Sequence, residues 1–234
     1  MMEILKHQKE MIKLINKKLD LDVWKEIIAK EEPFDKVIFL GDYFDSFNIT
    51  PNNQLENYKE ISKFRDDNEN KVITLLGNHE YHYITTTSKY SGWKNITNVI
   101  AHDIILKDFN DCKLKYVYKH NDILFSHAGI SNYWLYEIAE TTLENLLENQ
   151  VHLKHFDINF FLNFDRYGNS KSNGPLWIRP ASLIDDTILG YKQVVGHTHM
   201  QQITNIDDTL YFCDTLPYQY LVVENNQFII KNIN

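Results

Sequence analysis

Short apolar runs, each cut off by a small residue and a polar group, recur along this chain. Lys36–Leu40 has the length and branched content of a buried strand, and it ends in Gly41-Asp42-Tyr43-Phe44-Asp45. Lys71–Leu76 repeats the pattern and ends in Gly77-Asn78-His79-Glu80. Ile123–Phe125 runs into Ser126-His127-Ala128-Gly129, and Gln193–Val195 into Gly196-His197-Thr198-His199. Between these strands the apolar spacing turns helical. Trp24–Lys30 reads as a helix stopped before Pro33. Pro51 to Asn70 contains a polar helix whose rough inner stripe is Leu55, Tyr58 or Lys59, Ile61 and Phe64. Residues 81–100, aromatic and polar with Gly92 as breaker, predict irregular structure with short helices.

Further on, Lys113–Tyr118 and Ile123–Phe125 flank His120-Asn121-Asp122 and predict a hairpin. Ser131 is suited to cap a helix through Tyr136, and a helical region covers 140–164 with an interruption near 151–155. Three antiparallel strands, Thr209–Cys213, Gln219–Glu224 and Gln227–Lys231, close the chain. The N-terminal stretch has two readings. Residues 2–19 lack Gly and Pro, and Ile4, Met11, Ile15 and Leu19 fall on one helical face, so a helix comes first. The alternative is a short strand over Met11–Asn16 behind a charged tail. Alternation of strands with helices places the chain in the α/β class.

Composition narrows the function classes. A length of 234 residues suits one domain, 1–234, with residues 1–30 as an atypical helical N-terminal segment. The net charge of −8 argues against a nucleic-acid binder, because phosphate backbones reward Lys and Arg. It leaves a phosphate ester open as substrate, since a cation supplies positive charge locally. No apolar run is long enough for a membrane span, and the charged N-terminus is unlike a signal peptide. The two cysteines, Cys112 and Cys213, have no metal-type spacing and read as free thiols, so a cytoplasmic location is expected. Arg65, Arg166 and Arg179 are the arginines, few enough that each is a candidate anion contact.

The candidate chemistry lies at the four strand ends. Asp42, Asn78, His127 and His197 supply a carboxylate, an amide oxygen and two imidazoles. That donor set suits manganese, iron, zinc or nickel better than a structural cysteine-zinc site. Sheet topology brings such residues together although they are distant in sequence. The remaining histidines, His7, His82, His102, His120, His152 and His155, read as surface or packing groups.

The ordered set Gly-Asp-x-x-Asp, Gly-Asn-His-Glu, Ser-His-Ala-Gly and Gly-His-Thr-His resembles the calcineurin-like metallophosphoesterase superfamily. Leu176-Trp177-Ile178-Arg179 adds likeness to its phosphoprotein phosphatase and diadenosine-tetraphosphatase branch. The resemblance runs from about Val37 to the C-terminus. It implies a four-layer α/β/β/α sandwich of two mixed sheets. It also implies a metal-dependent phosphoester hydrolase, acting on phosphoprotein or nucleotide-type esters by attack of a metal-bound hydroxide. Asp42 matches the metal-bridging carboxylate; Asn78, His127 and His197 match the other ligands of one ion; His199 matches a ligand of the second. His79 matches the residue that protonates the leaving oxygen, Asp45 the carboxylate that orients it, and Arg179 a phosphate contact. One or two divalent ions, manganese first among them, are the implied cofactors, and no protein partner is indicated.

The chain departs from that pattern at its start. The family's first strand carries Asp-x-His, and no such motif precedes Gly41. Aligned back from Trp24, Lys17 and Leu19 fall at those positions. Asp20 and Asp22 are nearby carboxylates, although Asp at a helix start is usually a cap. The Arg that follows the second Asp in the family is Ser46 here. One ion site is therefore complete and the other is not. A first strand lost or altered, a start lying upstream, and a phosphoesterase fold retained for binding or structure are the alternatives.

Overall fold

The structure, a computed structural model, describes residues 11–15, 21–85, 89, 91–148, 165 and 167–233. Two mixed sheets carry the fold. The first has six strands in the order β11-β10-β1-β2-β3-β4, and the second five in the order β5-β6-β7-β9-β8. In the first sheet β1 (Met11–Ile15), β2 (Lys36–Phe39), β3 (Val72–Leu75) and β4 (Leu114–Lys115) run parallel, and the hairpin of β10 (Gln219–Glu224) and β11 (Gln227–Asn232) is added antiparallel along β1. The second sheet starts with the hairpin of β5 (Val117–His120) and β6 (Ile123–Ser126). There β7 (Lys192–Val195) lies parallel to both β6 and β9 (Leu210–Phe212), and β8 (Thr204–Ile206) closes the edge antiparallel.

Why the sheets stack follows from the alternation of their side chains. Ile38 and Leu40, Ile73 and Leu75, and Leu221 and Val223 point to one face of the first sheet. They form a single buried cluster with Ile123, Phe125, Val194 and Tyr211 of the second. Ile38, Leu40, Phe125 and Val194 are wholly buried, and each such side chain contributes about 1.5–3 kcal/mol. The opposite face of the first sheet, including Val37, Phe39 and Val222, meets helices α1 (Val23–Glu31), α2 (Pro51–Asp67) and α4 (Asn95–Asn110). On the far side of the second sheet lie a π-helical turn, Trp134–Ile138, helix α5 (Leu143–Glu148) and helix α6 (Pro180–Asp185), through Trp134, Leu146 and Leu183. The result is the four-layer α/β/β/α sandwich.

Sequence pattern and structure agree closely at α2. Thr50 accepts a hydrogen bond from the Asn53 amide, Pro51 opens the first turn, and Leu55, Tyr58 and Ile61 face the core. Ser131 Oγ likewise accepts from Trp134 N at 3.1 Å. At the N-terminus the helical reading gives way. Met11–Ile15 is a strand, pairing in parallel with β2 from Ile12↔Lys36 and antiparallel with β10 from Met11↔Glu224. Backbone pairing on both sides outweighs local helix propensity. Residues 2–10 and 16–19 of that expected helix lie outside the described residues. Helix α4 replaces the irregular structure expected toward residue 100, and the strand closing at Phe212 joins the second sheet in parallel rather than the terminal hairpin. Of the helical region expected over 140–164, α5 is seen, and 149–164 lie outside the described residues.

No helix among the described residues is long and apolar enough to cross a membrane. Cys112 and Cys213 are both free thiols.

Candidate metal centre and catalytic site

Asp42, Asn78, His127 and His197 follow β2, β3, β6 and β7, four parallel strands drawn from the two sheets. Their C-terminal ends therefore meet where the sheets face each other. The loops touch backbone to backbone. A Cβ on Gly41 would stand 2.7 Å from Gly77 N, and one on Gly77 only 2.4 Å from Asp42 N. Glycine at both places is what lets Asp42 and Asn78 come together. Glu80, one turn into helix α3 (Asn78–Thr85), ties this junction. Its buried carboxylate accepts from the amides of Gly77 (2.9 Å), Asp42 (3.0 Å), Tyr43 (2.7 Å) and Phe44 (3.3 Å). Burial and then the Asp42 charge push its pKa up, while the amides pull it down.

The polar atoms of these four side chains converge tightly. Asn78 Oδ1 lies 2.9 Å from His127 Nε2 and 3.0 Å from His197 Nδ1, the two ring nitrogens are 3.2 Å apart, and Asp42 Oδ1 is 3.3 Å from His127 Nε2. His127 Nδ1 contacts the Leu40 carbonyl at 2.7 Å. A carbonyl only accepts, so Nδ1 carries a proton and a neutral ring has a bare lone pair at Nε2. That lone pair faces the amide and carboxylate oxygens, both acceptors. Such a crowd of acceptors fits a divalent cation.

A second cluster adjoins it. His79 Nδ1 lies 2.9 Å from Asp45 Oδ2, His82 Nε2 lies 2.6 Å from the same oxygen, and Tyr83 OH donates to Asp45 Oδ1. Gly92 closes over the carboxylate, where a Cβ would stand 2.8 Å from Asp45 Cβ. Burial pushes the Asp45 pKa up, but the bonds from His79, His82 and Tyr83 outweigh it and hold it at about 2. For His79, burial lowers the pKa, and the charges of Asp42 and Asp45 with the Asp45 bond raise it further, so the net shift is upward. Burial dominates at His82, whose pKa is lowered.

Asp42, Asp45 and His197 have φ of 59°, 67° and 62°, the left-handed region that side chains disfavour. Strain of this kind costs of order 1–3 kcal/mol per residue and gathers at functional sites.

A cleft of 240 Å³ opens onto both clusters, lined in part by Asp42, Asn78, His79, Arg179, His197 and His199. Arg179 Nη1 donates to Thr198 Oγ1 at 3.0 Å, which holds the guanidinium on the wall. A larger hollow of 440 Å³ around Arg65 and Lys113 contains none of the strand-end residues, and its Arg65 is bound to Asp108. His199 lines the same cleft but is not one of the close-set group formed by Asp42, His127 and His197. It is half exposed, with Nδ1 3.9 Å from Asp214 Oδ1. Asp22 pairs with Lys25 at the start of α1, while Lys17, Leu19 and Asp20 lie outside the described residues. Two residues were missed at the sequence level: Glu80, visible only as the last letter of its motif, and His82, signalled by helical i, i+3 spacing from His79.

No curated protein sequence matches the chain. Among solved structures, a cold-active protein-tyrosine phosphatase of a psychrophilic Shewanella species aligns with TM-score 0.63 at 20% identity, over 96% of this chain and 78% of that one. A serine/threonine phosphatase from Saccharomyces cerevisiae aligns with TM-score 0.59 at 13% identity, over 98% and 81%. A metallophosphoesterase from Sphaerobacter thermophilus gives 0.53 at 12%, over 97% and 89%. At such identities the likeness is one of fold. The family model for calcineurin-like phosphoesterases matches residues 16–201, the stretch that holds every strand-end motif, and the chain belongs to that family.

Proposed function

We propose that the protein is a metal-dependent phosphoester hydrolase, acting on a phosphoprotein or nucleotide-type ester with Asp42, Asn78, His127 and His197 holding a divalent ion. The observation that carries this is the juxtaposition of two clusters on one cleft: four acceptors suited to a cation, and beside them His79 backed by Asp45. When bound, the ion supplies Lewis acidity toward phosphoryl oxygens and an acidified water for attack. Asp45 takes His79 Nδ1–H and leaves Nε2 for the substrate. With its pKa raised, His79 carries the proton that Nε2 gives to the leaving oxygen as the P–O bond breaks. Arg179, on the same cleft, neutralises the phosphoryl group where the family's other Arg is replaced by Ser46. Phe47, 68% exposed, and Trp177 also line the cleft and offer aromatic surface to the organic part of the ester. Support for protein-directed activity comes from the neighbours described as protein phosphatases.

The second reading, a phosphoesterase fold kept for binding, is favoured by the missing Asp-x-His and by His199 not belonging to the close-set group of Asp42, His127 and His197. Turnover decides. Manganese-loaded protein is expected to hydrolyse phenyl phosphate, and His79→Ala to lose about 10²–10⁴ of that rate. Absence of turnover with metal bound would leave the binding reading.

A further inference from the structure

We infer that His82 is a positioning residue for the acid, holding Asp45 so that His79 presents its proton to the leaving group; this rests on the proposed hydrolase reading. His79, His82 and Tyr83 stand at i, i+3 and i+4 on α3, one face of the helix, and all three contact the Asp45 carboxylate. Two imidazoles share Oδ2, at 2.9 and 2.6 Å, and the tyrosine hydroxyl takes Oδ1. Tyr83 OH is in turn fixed by the Lys94 amide at 3.1 Å.

His82 is wholly buried and so cannot touch substrate, whereas His79 lines the cleft. Burial keeps the His82 ring neutral at pH 7, and with Nε2 2.6 Å from a carboxylate oxygen the tautomer protonated at Nε2 is the one that avoids two facing lone pairs. A neutral donor on Oδ2 fixes the carboxylate without adding a second positive charge against His79. Without the His82 bond, Asp45 can turn away from His79 Nδ1, and the His79 ring loses its orientation toward the leaving oxygen.

An acid matters most where the leaving group is poor. The test therefore compares phenyl phosphate, a poor leaving group, with p-nitrophenyl phosphate, a good one, on the manganese-loaded full chain. His82→Leu is expected to lower kcat on phenyl phosphate about tenfold more than on p-nitrophenyl phosphate, with KM little changed. His82→Gln, whose amide can still donate to Asp45, is expected to recover most of that difference. If the Leu variant fails to fold, His82→Asn, too short to reach Asp45, takes its place in the comparison with Gln. Equal losses on the two esters, or no loss, would overturn the role of His82. Absence of metal-dependent turnover by the unaltered protein on either ester would instead overturn the hydrolase reading.

Discussion

Asp45 concentrates the residue-scale chemistry. It is 1% exposed, yet three donors hold its pKa at about 2 against an ordinary 3.8. A carboxylate depressed in this way stabilises the fold above its unfolded pKa, and that contribution disappears as pH falls through the folded one. The shift corresponds to about 2 kcal/mol. In metal-free protein, the stability gap between the unaltered chain and Asp45→Asn is therefore expected to shrink by about that amount between pH 5 and pH 2. Urea unfolding across that range measures it, and a gap independent of pH would contradict the three-donor network. That Asp42, Asp45, Asn78, His79, His127 and His197 come together was legible in the sequence because each rides on a short local motif at a strand end. His82 was not, because Asp45 lies 37 residues away and only the folded α3 brings them together.

At the scale of elements, one buried polar knot ties α2, α4 and β3. Arg65 reaches both oxygens of Asp108, at 3.1 and 3.2 Å, and also Thr74 Oγ1. Tyr58 and Ser62 donate to the same carboxylate at 2.8 and 3.2 Å. Arg65 is thus structural, whereas Arg179 lines the cleft. Removing one partner strands a buried charge, so Asp108→Ala is expected to destabilise by about 3–5 kcal/mol in chemical denaturation. A loss below about 1 kcal/mol would mean that water reaches the pair. The pattern that revealed α2 did not reveal α4. Ile96 and Val99 are exposed while Ala101 and Ile105 are buried, so apolar residues surround that helix and no clear stripe marks it. Strand β1 stood only as the alternative reading, over Met11–Asn16, for a different reason. Five residues, Met11–Ile15, follow a charged stretch with no turn residue to set them off, and what makes them a strand is pairing with β2 and β10, far along the chain.

For the molecule as a whole, the layered fold survives although the residues beyond its first strand depart from the family pattern. That strand lies beside β2 in parallel, as the sandwich requires, yet Lys17 and Leu19 stand where the family motif has Asp and His. The four-acceptor cluster draws on both sheets, so its geometry depends on the core between them. The α/β class was legible from the alternation of strands with helices, and the sandwich only through the family resemblance that the ordered motifs carry.

Ion stoichiometry measured beside turnover bears most directly on the proposal of a metal-dependent hydrolase. Protein loaded with manganese and freed of excess would be analysed for metal per chain, with His127→Ala and Asn78→Ala treated alike, and assayed on phenyl phosphate. One tightly held ion per chain, lost in both variants together with turnover, is the expected result. No retained ion, or an ion retained equally in the variants, would contradict the assignment of the four strand-end residues as the metal centre.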